Sequence, residues 1–525
     1  MQIIPSGIGN RHRRRQWRAG TNGTIVYATP IDANHQKEME TMRNASMAGL
    51  PRMMTMRVRV VVSLMSLLSL LPADGVRAQQ PTPPSDPTAA LLVDLIRVNT
   101  SNPPGHEGSI AALLEPRFKA LGFETMIVAT PESGKAHFIA RLRGNGSKRP
   151  ILLAAHADVV GVERDKWSVD PFAGVVRDGR VVGRGAIDFK GGMAVFARSA
   201  MMLAERRVPL DRDVIFLAEA DEEGAKYNTG WLALDHWAEL DCEFAINEGG
   251  WIIKGDDGHV QYVSISTADK STVQVLVTAT GTSTHSSMPR PDNAIFALTR
   301  AMARIADYDP PVTLIPSTRQ FFSTLAKTSP PALAEQFRNL LSDDPARIRA
   351  ADREISKDPL LHSLIRTTIA PVLLNAGFRS NVIPGSAEAT LNVRLIPGTD
   401  PNSIIADLQR VVADPSVTVH FATAAAAART ESPPSSDTTE LFKQLVSSAH
   451  QQFPTAEVTP YLFQAGTDAG AWRSRGVPVY GIYPYPITAD ELTRMHGNDE
   501  RVSIESLRQG TEMIFRTLVA VAGHH

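Results

Sequence analysis

In Leu152-Leu153-Ala154-Ala155-His156-Ala157-Asp158 an imidazole and a carboxylate follow an apolar run, two residues apart. Residues i and i+2 of an extended chain project to the same side, so the pair can share a site. Asp188 stands in the glycine-bracketed turn Gly183-Arg184-Gly185-Ala186-Ile187-Asp188-Phe189-Lys190-Gly191-Gly192, where backbone and ion can approach closely. Asp221-Glu222-Glu223-Gly224 crowds acids after a second apolar run, an arrangement that repels unless cations are present. Glu248 follows Phe244-Ala245-Ile246-Asn247 and precedes two glycines, and His496 opens His496-Gly497-Asn498-Asp499-Glu500. Each element has a plainer reading alone: a structural His-x-Asp pair, a capping Asp, a solvated acidic loop. Collected, they form a set of imidazoles and carboxylates suited to zinc, and in the adjacent pair Glu222-Glu223 one side chain can bind metal while the other takes a proton.

The rest of the composition points the same way. The chain has 525 residues, 43% of them hydrophobic, with 54 Lys+Arg against 55 Asp+Glu. At roughly 100–200 residues per domain, that length predicts two to four units. The near-zero net charge gives no electrostatic reason to propose nucleic acid as partner, so a small-molecule or peptide substrate fits better. The single cysteine, Cys242, excludes an internal disulfide framework and a thiolate metal cluster, leaving metal chemistry to His, Asp and Glu.

The elements that must position these residues follow from periodicity. Leu91, Leu92, Leu95, Ile96 and Val98 mark a first helix, and Ile110, Leu113, Leu114 and Phe118 a second. Residues 125–129, 137–142, 151–155, 214–220 and 244–247 read as strands, and 192–205 as a helix. Alternating strands and helices predict an α/β sheet covered on both faces, with ligands at the strand ends. After about Ala268 the pattern changes. Residues 272–280 alternate, 292–306 are helical and 387–395 alternate again, which predicts a smaller α+β unit inserted into the first domain. Residues 330–371 between them read as an added helical, charged subdomain. The predicted boundaries are 88–267 and 399–525 for the two parts of the large domain and 268–398 for the inserted one, ending in a helix over 504–521.

Seven ordered motifs carry a resemblance to a known family: His-Ala-Asp-Val-Val at 156, Gly-Arg-Gly-Ala-Ile-Asp-Phe-Lys-Gly at 183, Asp-Glu-Glu-Gly at 221, Asn-Glu-Gly-Gly at 247, Thr-His-Ser-Ser-Met-Pro at 284, Asn-Val-Ile-Pro at 381 and His-Gly-Asn-Asp-Glu at 496. From about Leu91 to Leu518 the chain resembles the dinuclear zinc peptidases of the aminoacylase and glutamate carboxypeptidase family, peptidase family M20. That family also holds succinyl-diaminopimelate desuccinylase, acetylornithine deacetylase and Gly-Xaa carboxypeptidase. The resemblance implies a zinc-peptidase catalytic domain with helices on both faces of a mixed sheet, plus an inserted α+β lid or dimerisation domain. It implies two Zn2+, with Co2+ or Mn2+ as substitutes: Asp188 bridging, His156 and Glu248 completing one site, Glu223 and His496 the other. Glu222 then matches the general base and Asp158 the residue that orients His156. His285 matches a histidine that steadies the oxyanion from the lid or from a partner subunit, so the resemblance allows a homodimer. Asn381 and Arg394 match positions that grip substrate, Arg394 being suited to a carboxylate by its bidentate fork. Gly466-Thr467-Asp468-Ala469 falls where the family lines its pocket. This chain has Asp188-Phe189-Lys190 where many members carry Asp-Asp-Lys or Asp-Met-Lys, and Glu248 where some have Asp, so subgroup does not assign substrate. The 330–371 segment resembles the longer lids of the Gly-Xaa carboxypeptidase and aminoacylase branches.

Residues 56–78 read as a signal peptide: Arg57 and Arg59, an apolar run over 60–71, then Val76-Arg77-Ala78. The run is shorter than the roughly 20 residues a membrane-spanning helix needs, so no membrane span is expected after its removal. The basic stretch at 1–55, with its cluster at 11–18, reads as an over-called start, with Met53, Met54 or Met56 the real one; a disordered arm is the other reading. Residues 79–87 are a linker. Together these predict an exported, periplasmic or secreted, zinc-dependent hydrolase of amide bonds in short peptides or N-acyl amino acids bearing a free carboxylate. Two competitors are a barrel-type metal-dependent amidohydrolase, which usually opens with His-x-His rather than His156-x-Asp158, and a non-catalytic exported binding protein on the same fold.

Overall fold

The structure is a computed structural model describing residues 84–423 and 432–524. The expected arm at 1–55, the signal peptide at 56–78 and most of the linker lie outside the described residues.

Helix α1 (Pro87–Arg97) begins at a proline preset for the first helical turn, and the Asp86 side chain caps it by accepting the Ala89 N–H at 2.8 Å. Helix α2 (Glu107–Lys119) follows, then strands β1 (Glu124–Ala129), β2 (Ala136–Leu142) and β3 (Ile151–His156). Strands β4 (Val175–Arg177) and β5 (Arg180–Val182) form a hairpin turning on Asp178-Gly179, both at positive φ as a two-residue turn requires. Next come α3 (Lys190–Glu205), β6 (Val214–Glu219), β7 (Phe244–Asn247), β8 (Ile252–Lys254) and β9 (Val260–Asp269). The chain then builds β10 (Ser271–Thr280), β11 (Thr284–His285), α4 (Ala294–Ala306), four helices α5 (Pro316–Thr328), α6 (Pro331–Leu340), α7 (Pro345–Ile355) and α8 (Pro359–Leu364), strands β12 (Thr368–Ala376), β13 (Val382–Ile383) and β14 (Ser386–Leu395), α9 (Pro401–Val412) and β15 (Val417–Phe421). It closes with α10 (Glu440–Gln452), β16 (Glu457–Phe463), β17 (Val479–Gly481), β18 (Pro486–Ile487), β19 (Arg501–Ser503) and α11 (Ile504–Ala522).

The large sheet has the order β1-β2-β6-β3-β7-β17-β9-β8-β18, with β16 added on β9. It is mixed: β6, β3, β7 and β17 run parallel, while β1, β2 and β8 pair antiparallel with their neighbours β2, β6 and β9. Every residue of β3, β6 and β7 is buried, as near-continuous apolar strands covered on both faces must be. Leu153 and Ala155 pack into the core shared with α1, α3 and α11, whereas Leu152 and Ala154 pack on the opposite face with Leu232 and Trp472. The sheet is open-ended, which excludes the barrel architecture.

The small unit is a four-stranded antiparallel sheet in the order β12-β14-β10-β15, backed by α4 and α9. Two of its expected limits need correction. The chain does not return to the large domain at 399, because β15 pairs with β10 (Val277↔Val419) and α9 buries Ile404, Leu408 and Val412 in the small unit's core, which therefore runs to Phe421. The helices within 330–371 do not belong to that unit either: together with α5 they pack on the large domain, where Phe321 meets Tyr461 edge-on at 5.0 Å and Phe337 and Ile355 join the main core. Their apolar faces match a sheet surface, and the periodicity of a helix does not say which sheet.

Candidate metal centre

Three neighbouring parallel strands end at one edge of the sheet, and each delivers an acid or imidazole there. His156 is the last residue of β3, Glu222 and Glu223 lie three and four residues past the end of β6, and Glu248 follows β7 directly. Because the order is β6-β3-β7, the three carboxyl ends stand side by side. Asp188 enters from the turn before α3, whose following Asp188–Phe189 peptide is cis, and His496 enters from the segment before β19.

Asp188 divides its oxygens between two sets of neighbours. His156 Nε2 lies 3.0 Å from Oδ1 and 3.6 Å from Glu248 Oε2. His496 Nε2 lies 2.9 Å from Oδ2 and 3.1 Å from Glu223 Oε1. Ligand atoms of His156, Glu222 and Glu248 fall within 4.8 Å of one another, as do those of His156, Asp188 and Glu223. All five expected ligands and Glu222 therefore meet in one place. His156 is buried, while the His496 side chain is 47% exposed, so the centre opens to solvent on the His496 side.

Asp158 does more than the expected support of His156. The His156 Nδ1 is 3.0 Å from the Asp158 backbone carbonyl and 3.6 Å from its carboxylate. The carboxylate itself accepts the backbone N–H groups of Glu222 at 3.1 Å and Glu223 at 3.0 Å, and the Asn102 side-chain amide at 2.7 Å. One buried acid thus holds both sides of the centre.

The electrostatics call for cations. Burial pushes the Glu222 carboxyl well above its ordinary range, with Glu248 adding to it, and burial pushes Glu248 up to about 7 against the pull of His156. Against its own desolvation, His156 is raised by Glu248, Asp158 and Asp188. Hydrogen bonds to Asp188 and Glu223 raise His496 to about 10. Four carboxylates crowd together with two imidazoles, a concentration of negative charge that cations would balance. The donor set, all imidazole nitrogen and carboxylate oxygen, fits zinc.

The other predicted residues fall elsewhere. β11 pairs with β13, setting His285 opposite Val382, and the Ser286 N–H donates to the Asn381 carbonyl at 3.0 Å. His285 and Asn381 are therefore neighbours, both exposed on the small unit, and the His285 ring bonds Ser287 Oγ at 2.8 Å. Among the described residues no hydrogen bond or ion pair joins either to the metal ligands. Arg394 lies on β14 beside Gly466, where an added Cβ would come 3.7 Å from its Nη1. Gly466, Thr467 and Asp468 line a cleft of about 310 Å³ with Asn228, Asp269 and Lys270. Asp468 accepts the Asn228 side-chain amide at 2.8 Å and the Thr229 N–H at 3.1 Å.

Sequence reasoning missed Tyr483. Its hydroxyl lies 2.8 Å from Glu248 Oε2 and 3.1 Å from Asp188 Oδ1, and its ring stacks on Trp251 at 4.3 Å. A tyrosine in an apolar run carries no spacing signal, so nothing in the sequence distinguished it from core.

Residues 152–520 match peptidase family M20/M25/M40. The chain belongs to that family. The M20 match spans every candidate metal-centre residue, and this chain is a metallopeptidase or amidohydrolase of that type. It is 30% identical over 382 residues to a probable carboxypeptidase S-like 2 of Dictyostelium discoideum, covering 71% of this chain and 72% of the relative. It is 28% identical over 393 residues to the human N-fatty-acyl-amino acid synthase/hydrolase PM20D1, covering 73% and 76%. The fold is that of an M20 metallo-carboxypeptidase from Sulfolobus solfataricus, with a TM-score of 0.60 at 18% identity over 83% of this chain and all of that one. Human carnosine dipeptidase 1 is similar at 0.57 and 15% identity, over 82% of this chain and 95% of its own.

Proposed function

We propose that this M20 enzyme is an exported dinuclear zinc hydrolase that cleaves the amide bond of short peptides or N-acyl amino acids bearing a free carboxylate. The observation that carries the reading is Asp188, whose two oxygens face His156 and His496 at 3.0 and 2.9 Å. His156 and Glu248 would hold one ion, Glu223 and His496 the other, with Asp188 shared. When bound, the pair supplies the Lewis acidity that polarises a carbonyl and acidifies water at neutral pH.

The remaining chemistry belongs to the chain. Glu222, half-buried beside Glu248 and raised in proton affinity, is suited to take a proton from the attacking water and pass it to the leaving amine. Asp158 keeps that carboxylate in place through the Glu222 N–H. Arg394, next to the cleft at Gly466, offers a two-pronged donor to a substrate carboxylate. His285 stands on the small unit as a donor for the oxyanion once that unit, or a partner's, approaches the centre. The relatives, a probable carboxypeptidase S-like protein and an N-fatty-acyl-amino acid synthase/hydrolase, support both substrate classes.

Two further points belong to the proposal. Export rests on the arginines, apolar run and small residues of 56–78, and N-terminal sequencing of the exported protein tests it; a mature chain retaining 11–18 would refute it. A homodimer is supported by β12, an edge strand whose Leu373 and Leu374 are 61% and 65% exposed, since an uncovered apolar edge invites pairing. Leu374→Lys should shift a dimer to monomer in sedimentation velocity. For the activity itself, a panel of dipeptides and N-acyl amino acids is assayed with chelated and zinc-restored enzyme. Chelator-sensitive cleavage is expected, and cleavage indifferent to chelation would overturn the metal mechanism.

A further inference from the structure

Arg184 and Glu500 form a buried pair whose bonds cross between the two segments that carry Asp188 and His496. Glu500 lies four residues beyond His496, is fully buried, and reaches into the Asp188 turn. Its Oε1 accepts the backbone N–H groups of Ile187 at 2.7 Å and Asp188 at 2.9 Å, and its Oε2 accepts the Gly185 N–H at 3.2 Å. Arg184 lies four residues before Asp188 and reaches the other way. Its Nη1 meets Glu500 Oε2 at 2.6 Å, and its Nη2 donates to the His496 carbonyl at 3.2 Å and the Gly161 carbonyl at 3.4 Å. The guanidinium also sits over the Trp167 ring at 5.3 Å.

The arrangement is reciprocal: the acid from the His496 segment holds the backbone of Asp188, and the base from the Asp188 turn holds the backbone of His496. It prolongs an existing ladder, because β19 pairs with β5 and the Gly183 N–H donates to the Glu500 carbonyl at 2.9 Å. It also supports His496 at φ +58°, a left-handed backbone that a non-glycine residue keeps only where its surroundings over-determine it. A carboxylate offers about four acceptor positions, and four donors fill them here. A glutamine would turn an amide donor toward N–H groups that need an acceptor.

We infer that Arg184 and Glu500 are positioning residues that set Asp188 Oδ2 against His496 and so build the half of the centre made by Asp188, Glu223 and His496. The halves share Asp188 and Asp158, but the brace bonds the His496 carbonyl directly, whereas Tyr483 ties Glu248 to Asp188 Oδ1 and Asp158 backs His156 on the other side. Loss of the brace therefore weakens the His496 position more than the other.

This inference rests on the proposed zinc centre, and the experiment separates the two. Metal-free wild-type protein, Glu500→Gln and Arg184→Lys are titrated with Zn2+ by calorimetry, with the melting temperature of each metal-free protein recorded. The wild type should bind two equivalents; fewer would refute the centre itself and the brace with it. Glu500→Gln should bind one equivalent near wild-type affinity and the second about 10–100-fold more weakly. Arg184→Lys keeps the charge but cannot reach Glu500 and the His496 carbonyl together, so it should weaken the same equivalent. Should Glu500→Gln not fold, Arg184→Lys decides by the same readout. Two equivalents at wild-type affinity, or equal weakening of both with a lowered melting temperature, would overturn the brace and leave an ordinary structural ion pair.

Discussion

Asp158 Oδ1 accepts the backbone N–H of Glu222 at 3.1 Å, so the acid that backs His156 also anchors the side chain proposed to move the proton. The proposed metal ligand and the proposed base are therefore held by one buried group. Substitutions around this link can separate proton transfer from metal binding.

Glu222→Gln keeps the backbone bond to Asp158 and removes only the basic oxygen. Turnover should fall by about 10²–10⁴-fold, the usual worth of a positioned acid–base group, while zinc content stays at two per chain. Steady-state kinetics and metal analysis on one preparation check it, and a variant with near-normal turnover would remove Glu222 from that role.

Tyr483→Phe leaves the stack on Trp251 and deletes the hydroxyl shared by Glu248 and Asp188. Hydrogen bonds to charged groups are worth about 1.5–3 kcal/mol, so zinc affinity should drop by about tenfold or more. Competition with a chromophoric chelator measures the change; unchanged affinity would make the tyrosine a packing residue alone.

For Arg394→Ala, the KM for N-acyl amino acids should rise by about tenfold or more with kcat little altered, from the loss of a charge-assisted pair. The matching carboxamide substrates should be insensitive to the substitution. Equal losses on both series would place the substrate carboxylate elsewhere.

Glu107 provides a pH test outside the ligand set. Burial, with the charge of Asp158 adding to it, raises its carboxyl to about 7 from an ordinary 4.5. The folded state therefore holds a proton that the unfolded chain releases earlier. The stabilisation is complete below about pH 4.5 and is lost as pH rises through 7. Glu107→Gln should melt higher than wild type at pH 8 and show little gain at pH 4.5. A difference independent of pH would show that Glu107 is not protonated in the folded protein.

How much of this was legible beforehand differs from residue to residue. His156, the Glu222-Glu223 pair and Glu248 were readable because a buried parallel strand is a run of apolar residues, and polar groups just past its end face the ligand edge of the sheet. Strands 244–247 and 504–521 of the last helix were placed within a residue of their observed limits for the same reason, a strong period with clear stops. The extent of the small unit was not readable. β15 alternates like any edge strand, and only its pairing to β10 assigns it to that sheet. The helices within 330–371 have one apolar face each, which demands a partner surface without naming it.

The sequence by itself determined which side chains could hold metal and which strands would carry them, because those are local facts of residue type, spacing and periodicity. Only the tertiary structure decided that Asp188 turns one oxygen to His156 and the other to His496, that Asp158 grips the Glu222 and Glu223 amides, that Tyr483 joins the centre, and that Arg184 and Glu500 cross between its two halves. These relationships join residues tens to hundreds of positions apart. Their distances are set by strand order and loop path, which short-range periodicity does not encode.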